Sequence, residues 1–321
     1  MSTLEIKRLD PTTLKPDRII ILLGARGKGK STLLYDIMYH MRNKLHSGIA
    51  MTPTADSIST FQKFMPSSFI YHSFNDMALQ KTMDAKEILQ DKNGGEEKDH
   101  RYIFILLDDI MYDKSALKSV RVRKIFMNGR HHKIFFVNLM QYCMDMGPDL
   151  RANIDYVFAL QDTNISNRIK LWKYFFGMFG KFDHFARVMD NCTQNRECLV
   201  LDNTVNSNNP SDKLFWYNAS INIPPFRVGV PSWWLFDWKY GKEFSKGRAG
   251  DIINKEIMDT FKPSKDKDRL THTSSRNKQS SRSVKTMVAR SNGSIIRKRG
   301  PGKLEGVDLT AFDNNKNKNN M

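Results

Sequence analysis

The chain has few cysteines, little negative charge and no long apolar run. Three cysteines among 321 residues (Cys143, Cys192 and Cys198) cannot pair evenly, and their spacing suits no disulfide framework. His184 stands upstream of Cys192 and Cys198, but nothing supplies a fourth ligand at zinc-site spacing. Buried thiols in a reducing compartment are expected. The opening MSTLEIKRLDP lacks the apolar core of a secretion signal. No run approaches the roughly 18 apolar residues of a membrane helix, so no membrane span is expected. Acidic groups are outnumbered, with 34 Asp and Glu against 51 Lys and Arg, a formal charge of +17 and a pI near 9.7. So basic a chain expects a polyanion, nucleic acid being the usual one, although a solvated basic surface gives the same count.

What is present is a series of short, fully apolar segments. Ile19–Leu23 reads as a strand buried on both faces and ending at a glycine-rich turn. Ser31–Asn43 follows with Leu34, Ile37, Met38 and Met41 on one helical face. Further strands are expected at Gly48–Thr52, Phe69–Phe74, Tyr102–Leu107, Lys133–Leu139 and Tyr156–Leu160. Strands of this kind alternating with helices predict an α/β fold, a mostly parallel sheet covered by helices on both faces. Beyond it, Asn164–Phe179 reads as an amphipathic helix, and Glu197–Asn203 with Lys213–Ala219 as a strand pair. The aromatic stretch Trp233–Trp238 reads as packed surface or core, or as a platform for stacking bases. Residues 1–17 are polar and read as an arm, and residues 18–245 as the main domain with a C-terminal extension. Residues 246–321 read as a basic, disordered tail, with 16 Lys and Arg against 8 Asp and Glu over 251–321.

The chemistry is concentrated in Gly24-Ala25-Arg26-Gly27-Lys28-Gly29-Lys30-Ser31, a match to the phosphate-binding P-loop pattern. The motif lies between an apolar strand and a helix, the context it requires. Glycines let successive N–H groups turn inward toward phosphate oxygens, and the helix adds its positive end. Gly24 to Thr32 are therefore the candidate ATP-binding residues. Lys30 is expected to bridge the β- and γ-phosphates and Ser31 to ligate Mg²⁺. The strand Tyr102–Leu107 delivers Asp108 to the same ion and Asp109 to the attacking water, although an Asp pair also caps helices. Gln141, after the Lys133–Leu139 strand, can sense the γ-phosphate or position the water, or be structural. Arg130 and Arg151 are candidates for an arginine acting across a subunit boundary, or for ordinary ion pairs.

Taken in order, the P-loop, the apolar strand ending Asp108–Asp109, Asn128-Gly129-Arg130-His131-His132-Lys133, Gln141 and Leu150-Arg151-Ala152-Asn153-Ile154-Asp155 resemble a known family. They are similar to the virion DNA-packaging ATPases of the nucleocytoplasmic large DNA viruses, in the FtsK–HerA branch of P-loop motors. Met51-Thr52-Pro53-Thr54 and Pro66-Ser67-Ser68-Phe69-Ile70 share in the likeness, which covers roughly residues 18–160. The resemblance implies a RecA-like core, a homo-oligomeric ring, ATP hydrolysis and translocation of double-stranded DNA into a capsid. It implies capsid or portal-region partners, and a place in the host cytoplasm, at viral factories, or in the virion. The cluster Arg297-Lys298-Arg299 leaves the nucleus open as well. By position it makes Lys30 and Ser31 Walker A, Asp108 and Asp109 Walker B, Gln141 the polar sensor, and Arg151 the preferred finger ahead of Arg130. Asp109 departs from the wider branch, which usually carries Glu there. Two other classes stay open. One is a virion or DNA-organising protein that binds ATP without turnover. The other is a P-loop kinase or GTPase, for which neither a guanine-reading Asn-Lys-x-Asp nor an arginine-rich lid is evident.

Overall fold

Five consecutive apolar residues leave the strand Ile19–Leu23 no side chain to offer water, and it is buried along its whole length. The computed structural model describes residues 4–96, 98–110, 114–141 and 146–244. Its strands are β1 (Lys7–Arg8), β2 (Ile19–Leu23), β3 (Leu45–Met51), β4 (Ile70–Tyr71), β5 (Tyr102–Asp108), β6 (Ile134–Met140), β7 (Tyr156–Leu160), β8 (Glu197–Asp202) and β9 (Leu214–Asn218). Its α-helices are α1 (Lys30–Met41), α2 (Ala55–Phe61), α3 (Asp76–Lys92), α4 (Lys114–Lys118), α5 (Val120–Asn128), α6 (Pro148–Arg151), α7 (Ile165–Phe175), α8 (Phe182–Cys192), α9 (Pro210–Lys213) and α10 (Pro231–Phe244).

These strands form one sheet in the order β1-β9-β8-β7-β2-β6-β5-β3-β4. Only β8 is reversed, running antiparallel to both β7 and β9. Side chains alternate across the pleat and so divide the core in two. Ile19, Ile21 and Leu23 pack with residues of α3, α5, α7 and α8, while Ile20 and Leu22 pack with α1 and α10. The mostly parallel sheet with helices on both faces is therefore as expected. Because β2, β5 and β6 run parallel side by side, the loops after them emerge at one edge, where α/β proteins collect ligands.

Two local readings change, and a third, the packed aromatic stretch, gains its secondary structure. The N-terminal arm is not separate: Lys7–Arg8 extends the sheet beside β9, and Leu9 and Leu14 are buried. Lys44 then closes over the segment, donating to Thr12 O at 2.9 Å and Leu14 O at 3.0 Å. Two isolated leucines in a polar stretch gave too little periodicity to reveal this. The strand expected over Phe69–Phe74 shrinks to Ile70–Tyr71, because Phe69 closes a 3₁₀ turn and lies 5.1 Å from the Trp233 ring. The aromatic stretch is helical: Trp233 is buried against Phe69 and Phe104, while Trp238 stays 81% exposed. The expected strand pair after residue 197 is present as β8 and β9. The expected basic tail, residues 246–321, lies outside the described residues.

Candidate nucleotide site

The P-loop leaves the end of β2 at Gly24, whose N–H donates to Met140 O of β6 at 3.2 Å. A Cβ at Gly24 would lie 2.9 Å from that of Leu160, so the loop can pass β7 here only as glycine. Gly27 and Gly29 take φ of 78° and 96°, which turns the backbone inward before α1 starts at Lys30. Ser31 and Thr32 follow in the first turn of that helix. Asp36, buried on α1, accepts from the Tyr217 hydroxyl of β9 and so fixes the helix against the sheet. Lys30 Nζ lies inside the loop, donating to Gly24 O at 2.6 Å and Ala25 O at 3.2 Å. Burial pushes its ammonium below the usual lysine range, although Asp108 and Asp109 pull the other way.

Those two carboxylates approach from β5. Asp108, the last residue of the strand, is buried and accepts from Thr52 Oγ1 at 3.3 Å and from the Ser57 hydroxyl on α2. Burial pushes its pKa up, the neighbouring Asp109 adds to that, and Lys30 and the two hydroxyls oppose it. Asp109 adopts φ 54°, a left-handed conformation that costs a non-glycine residue roughly 1 kcal/mol. Its N–H is tied to Leu139 O at 3.2 Å, and its Oδ2 accepts from Gln141 Nε2 at 2.9 Å. Lys30, Asp108, Asp109 and Gln141 thus lie at one edge of three adjacent strands.

The two arginines part company. Arg151 donates to Met146 O and stacks its guanidinium 4.0 Å from the centre of the Tyr174 ring. No carboxylate pairs with it among the described residues. Arg130 lies just before β6, at the edge of the sheet opposite the P-loop. It pairs with the buried Asp155 at 2.5 Å, and Arg18 lies 3.8 Å away from the same carboxyl. Asp155 Oδ2 also accepts from Ile19 N at 2.9 Å. Arg130 therefore latches together the entrances of β2, β6 and β7, and the structure does not bring it to Lys30.

Beside the P-loop, away from Asp108, lies a cavity of about 470 Å³ lined on one side by Gly27, Lys28, Gly29 and Thr32. Lys28 Nζ spans its rim to Gln161 Oε1 at 3.0 Å. The opposite wall comes from the turn between α8 and β8, which nothing in the sequence marked. Thr52 and Ser57 also escaped the sequence reading as partners of Asp108, although Thr52 lies in the Met-Thr-Pro-Thr segment noted above.

The family model described as "Poxvirus A32 protein" matches residues 8–214, well over half of the chain. The chain belongs to this family. That membership bears out the resemblance drawn from the P-loop, the paired aspartates and the Arg130–Gln141 segment, and extends it past residue 160. Among viral relatives of this chain, an uncharacterised protein of Acanthamoeba polyphaga mimivirus is 32% identical over 220 residues, covering 67% of this chain and 77% of that one. An uncharacterised protein of Frog virus 3 (isolate Goorha) is 28% identical over 247 residues, covering 74% and 75%. Among solved structures, the DNA-packaging ATPase of Sulfolobus Turreted Icosahedral Virus is similar at a TM-score of 0.46 and 15% identity, over 64% of this chain and 100% of that one. Among the described residues, no helix is long and apolar enough to cross a membrane.

Proposed function

We propose that this A32-family chain is an ATP-hydrolysing motor that moves double-stranded DNA into a viral capsid, working as a homo-oligomeric ring. The observation that carries the reading is the convergence of Lys30, Asp108 and the Gln141–Asp109 pair on the edge where the P-loop opens. Among the described residues Lys30 Nζ donates to two backbone carbonyls, which a triphosphate can replace with stronger charge-assisted partners. The site suits Mg²⁺: a buried carboxylate whose charge burial disfavours, together with the Ser31 hydroxyl, is a hard-oxygen donor set that a cation would relieve. When bound, the ion neutralises charge on the transferring phosphoryl group.

Asp109 is the group assigned to the attacking water, and Gln141 fixes its carboxylate. Gln141→Ala is expected to lower turnover about 10–100-fold while leaving ATP affinity within about threefold, as for an interaction used mainly in the transition state. Steady-state phosphate release and an ATP titration measure the two. An affinity loss equal to the rate loss would make Gln141 a plain binding residue. Arg151 is assigned as the arginine offered to a neighbouring subunit. In support, its charge is met by a carbonyl and a ring rather than by a carboxylate.

The basic balance of the chain suits the phosphate backbone of DNA, a contact that needs no sequence reading. Duplex DNA is expected to raise ATP turnover, and Lys30→Ala to abolish it with and without DNA. Folded protein that hydrolyses ATP equally in the absence of DNA would argue against translocation. Nucleotide binding with almost no phosphate release would favour the organising role instead.

A further inference from the structure

The wall facing the P-loop across the cavity is a tight turn, closed by Glu197 N donating to Gln194 O at 2.8 Å. Its two central residues, Asn195 and Arg196, both have positive φ, 50° and 67°. Glycine relieves that strain and is absent here, so the pair carries a backbone cost that persists where surroundings over-determine the chain. The surroundings do so. Thr193, buried at the end of α8, donates to Met189 O at 2.7 Å, and Glu197 starts β8, in register with Asn218 of β9. The exposed Asn195 and Arg196 side chains are carried by a rigid mount.

A triphosphate held in the P-loop leaves its nucleoside to one side. On the β5 side stand Asp108, Asp109 and Thr52, the acidic and metal-binding end. On the β7–β8 side stands the cavity, which shares Gly27, Lys28, Gly29 and Thr32 with the loop itself. Its far end merges with an adjoining hollow of about 780 Å³ through Asn195, Arg196, Glu197, Ala219 and Ile221. That end carries Arg8 and Arg196 with Glu197, and lies beyond the loop whose backbone holds the phosphates. Ile221 is 67% exposed, a branched aliphatic side chain held in water beside an arginine. A flat heterocycle satisfies both, packing on the aliphatic group and stacking on the guanidinium, while ribose hydroxyls meet the amide.

We propose that this cavity seats the nucleoside half of the nucleotide, with Arg196, Asn195 and Ile221 as the residues that recognise it. The inference rests on the P-loop reading, since the bound triphosphate is what places the nucleoside here. Calorimetric titration of the full chain with ATP and with inorganic tripolyphosphate, both with Mg²⁺ at physiological ionic strength, separates the two. Arg196→Ala is expected to weaken ATP about tenfold and Ile221→Ala about fivefold, each leaving tripolyphosphate within about twofold. Both positions are exposed, so the variants keep the fold, which thermal melting verifies. Unchanged ATP affinity in both variants, with Lys30→Ala still destroying binding of both ligands, would overturn the nucleoside site and leave the P-loop intact. Equal loss of ATP and tripolyphosphate in Arg196→Ala would also overturn it, by making Arg196 a phosphate ligand. Undiminished binding of both ligands in Lys30→Ala would instead remove the P-loop reading, and this inference with it.

Discussion

Replacing Asp108 by asparagine is expected to abolish ATP hydrolysis and, in the same molecule, to raise the melting temperature of the nucleotide-free protein. The two effects share one cause. Asp108 is buried, and its carboxyl holds its proton more tightly in the folded chain than in the unfolded one. A raised acid pKa means that stability falls as pH climbs from the ordinary carboxylate range through the folded pKa, and the deficit then stays constant up to neutrality. Asparagine removes the buried charge and still accepts from Thr52 and Ser57, so the gain is expected at pH 7 and vanishes at low pH. Without a carboxylate to balance the ion, turnover should drop at least about a hundredfold. Thermal melting at two pH values together with phosphate release checks both halves. A variant that melts lower at pH 7 would show that pairing with Lys30 outweighs the burial of the charge.

Arg130→Ala should do the reverse, costing stability and sparing chemistry. The substitution leaves the Asp155 carboxylate with Ile19 N and the more distant Arg18 as its partners. Burial already pushes the Asp155 pKa up, with Ile19, Arg130 and Arg18 holding it back. Removing Arg130 raises it further, so the penalty grows as pH rises through that higher value and is smallest in acid. Breaking a buried ion pair typically costs about 3–5 kcal/mol, but Arg130 is half exposed and Arg18 remains, so about 1–3 kcal/mol is expected here. At a few degrees per kcal/mol for a domain of this size, that is a Tm loss of about 3–10 °C. Turnover per folded molecule should stay within about twofold of the parent. Collapse of DNA-stimulated turnover with unchanged melting would instead return Arg130 to the role of a finger between subunits.

The contrast between these two residues shows what each level of description supplies. Both were named from the chain alone, and for Asp108 that was enough. Six apolar residues, too few for a buried helix and flanked by a Gly-Gly loop and two aspartates, read as a buried strand, and the residue that ends such a strand stands at the sheet's edge. Parallel neighbours put all such ends together, so Lys30, Asp108, Asp109 and Gln141 meet for reasons local to each segment. Arg130 had a guide to its edge as well, since it precedes its strand and parallel neighbours collect such entrances at the edge opposite the P-loop, but nothing local named its partner. Only the tertiary structure shows that it pairs there with the buried Asp155.

Local pattern thus determined the parallel core, the P-loop and the acidic strand end, since each depends on residues within about one turn or strand of one another. The tertiary structure alone decided the rest. Leu9 and Leu14 bind the first residues to the sheet, Thr52 and Ser57 reach Asp108, and the Asn195–Arg196 turn faces Lys28. These are contacts between distant segments, and no period or spacing records them. What fixes them is the order in which strands are laid side by side.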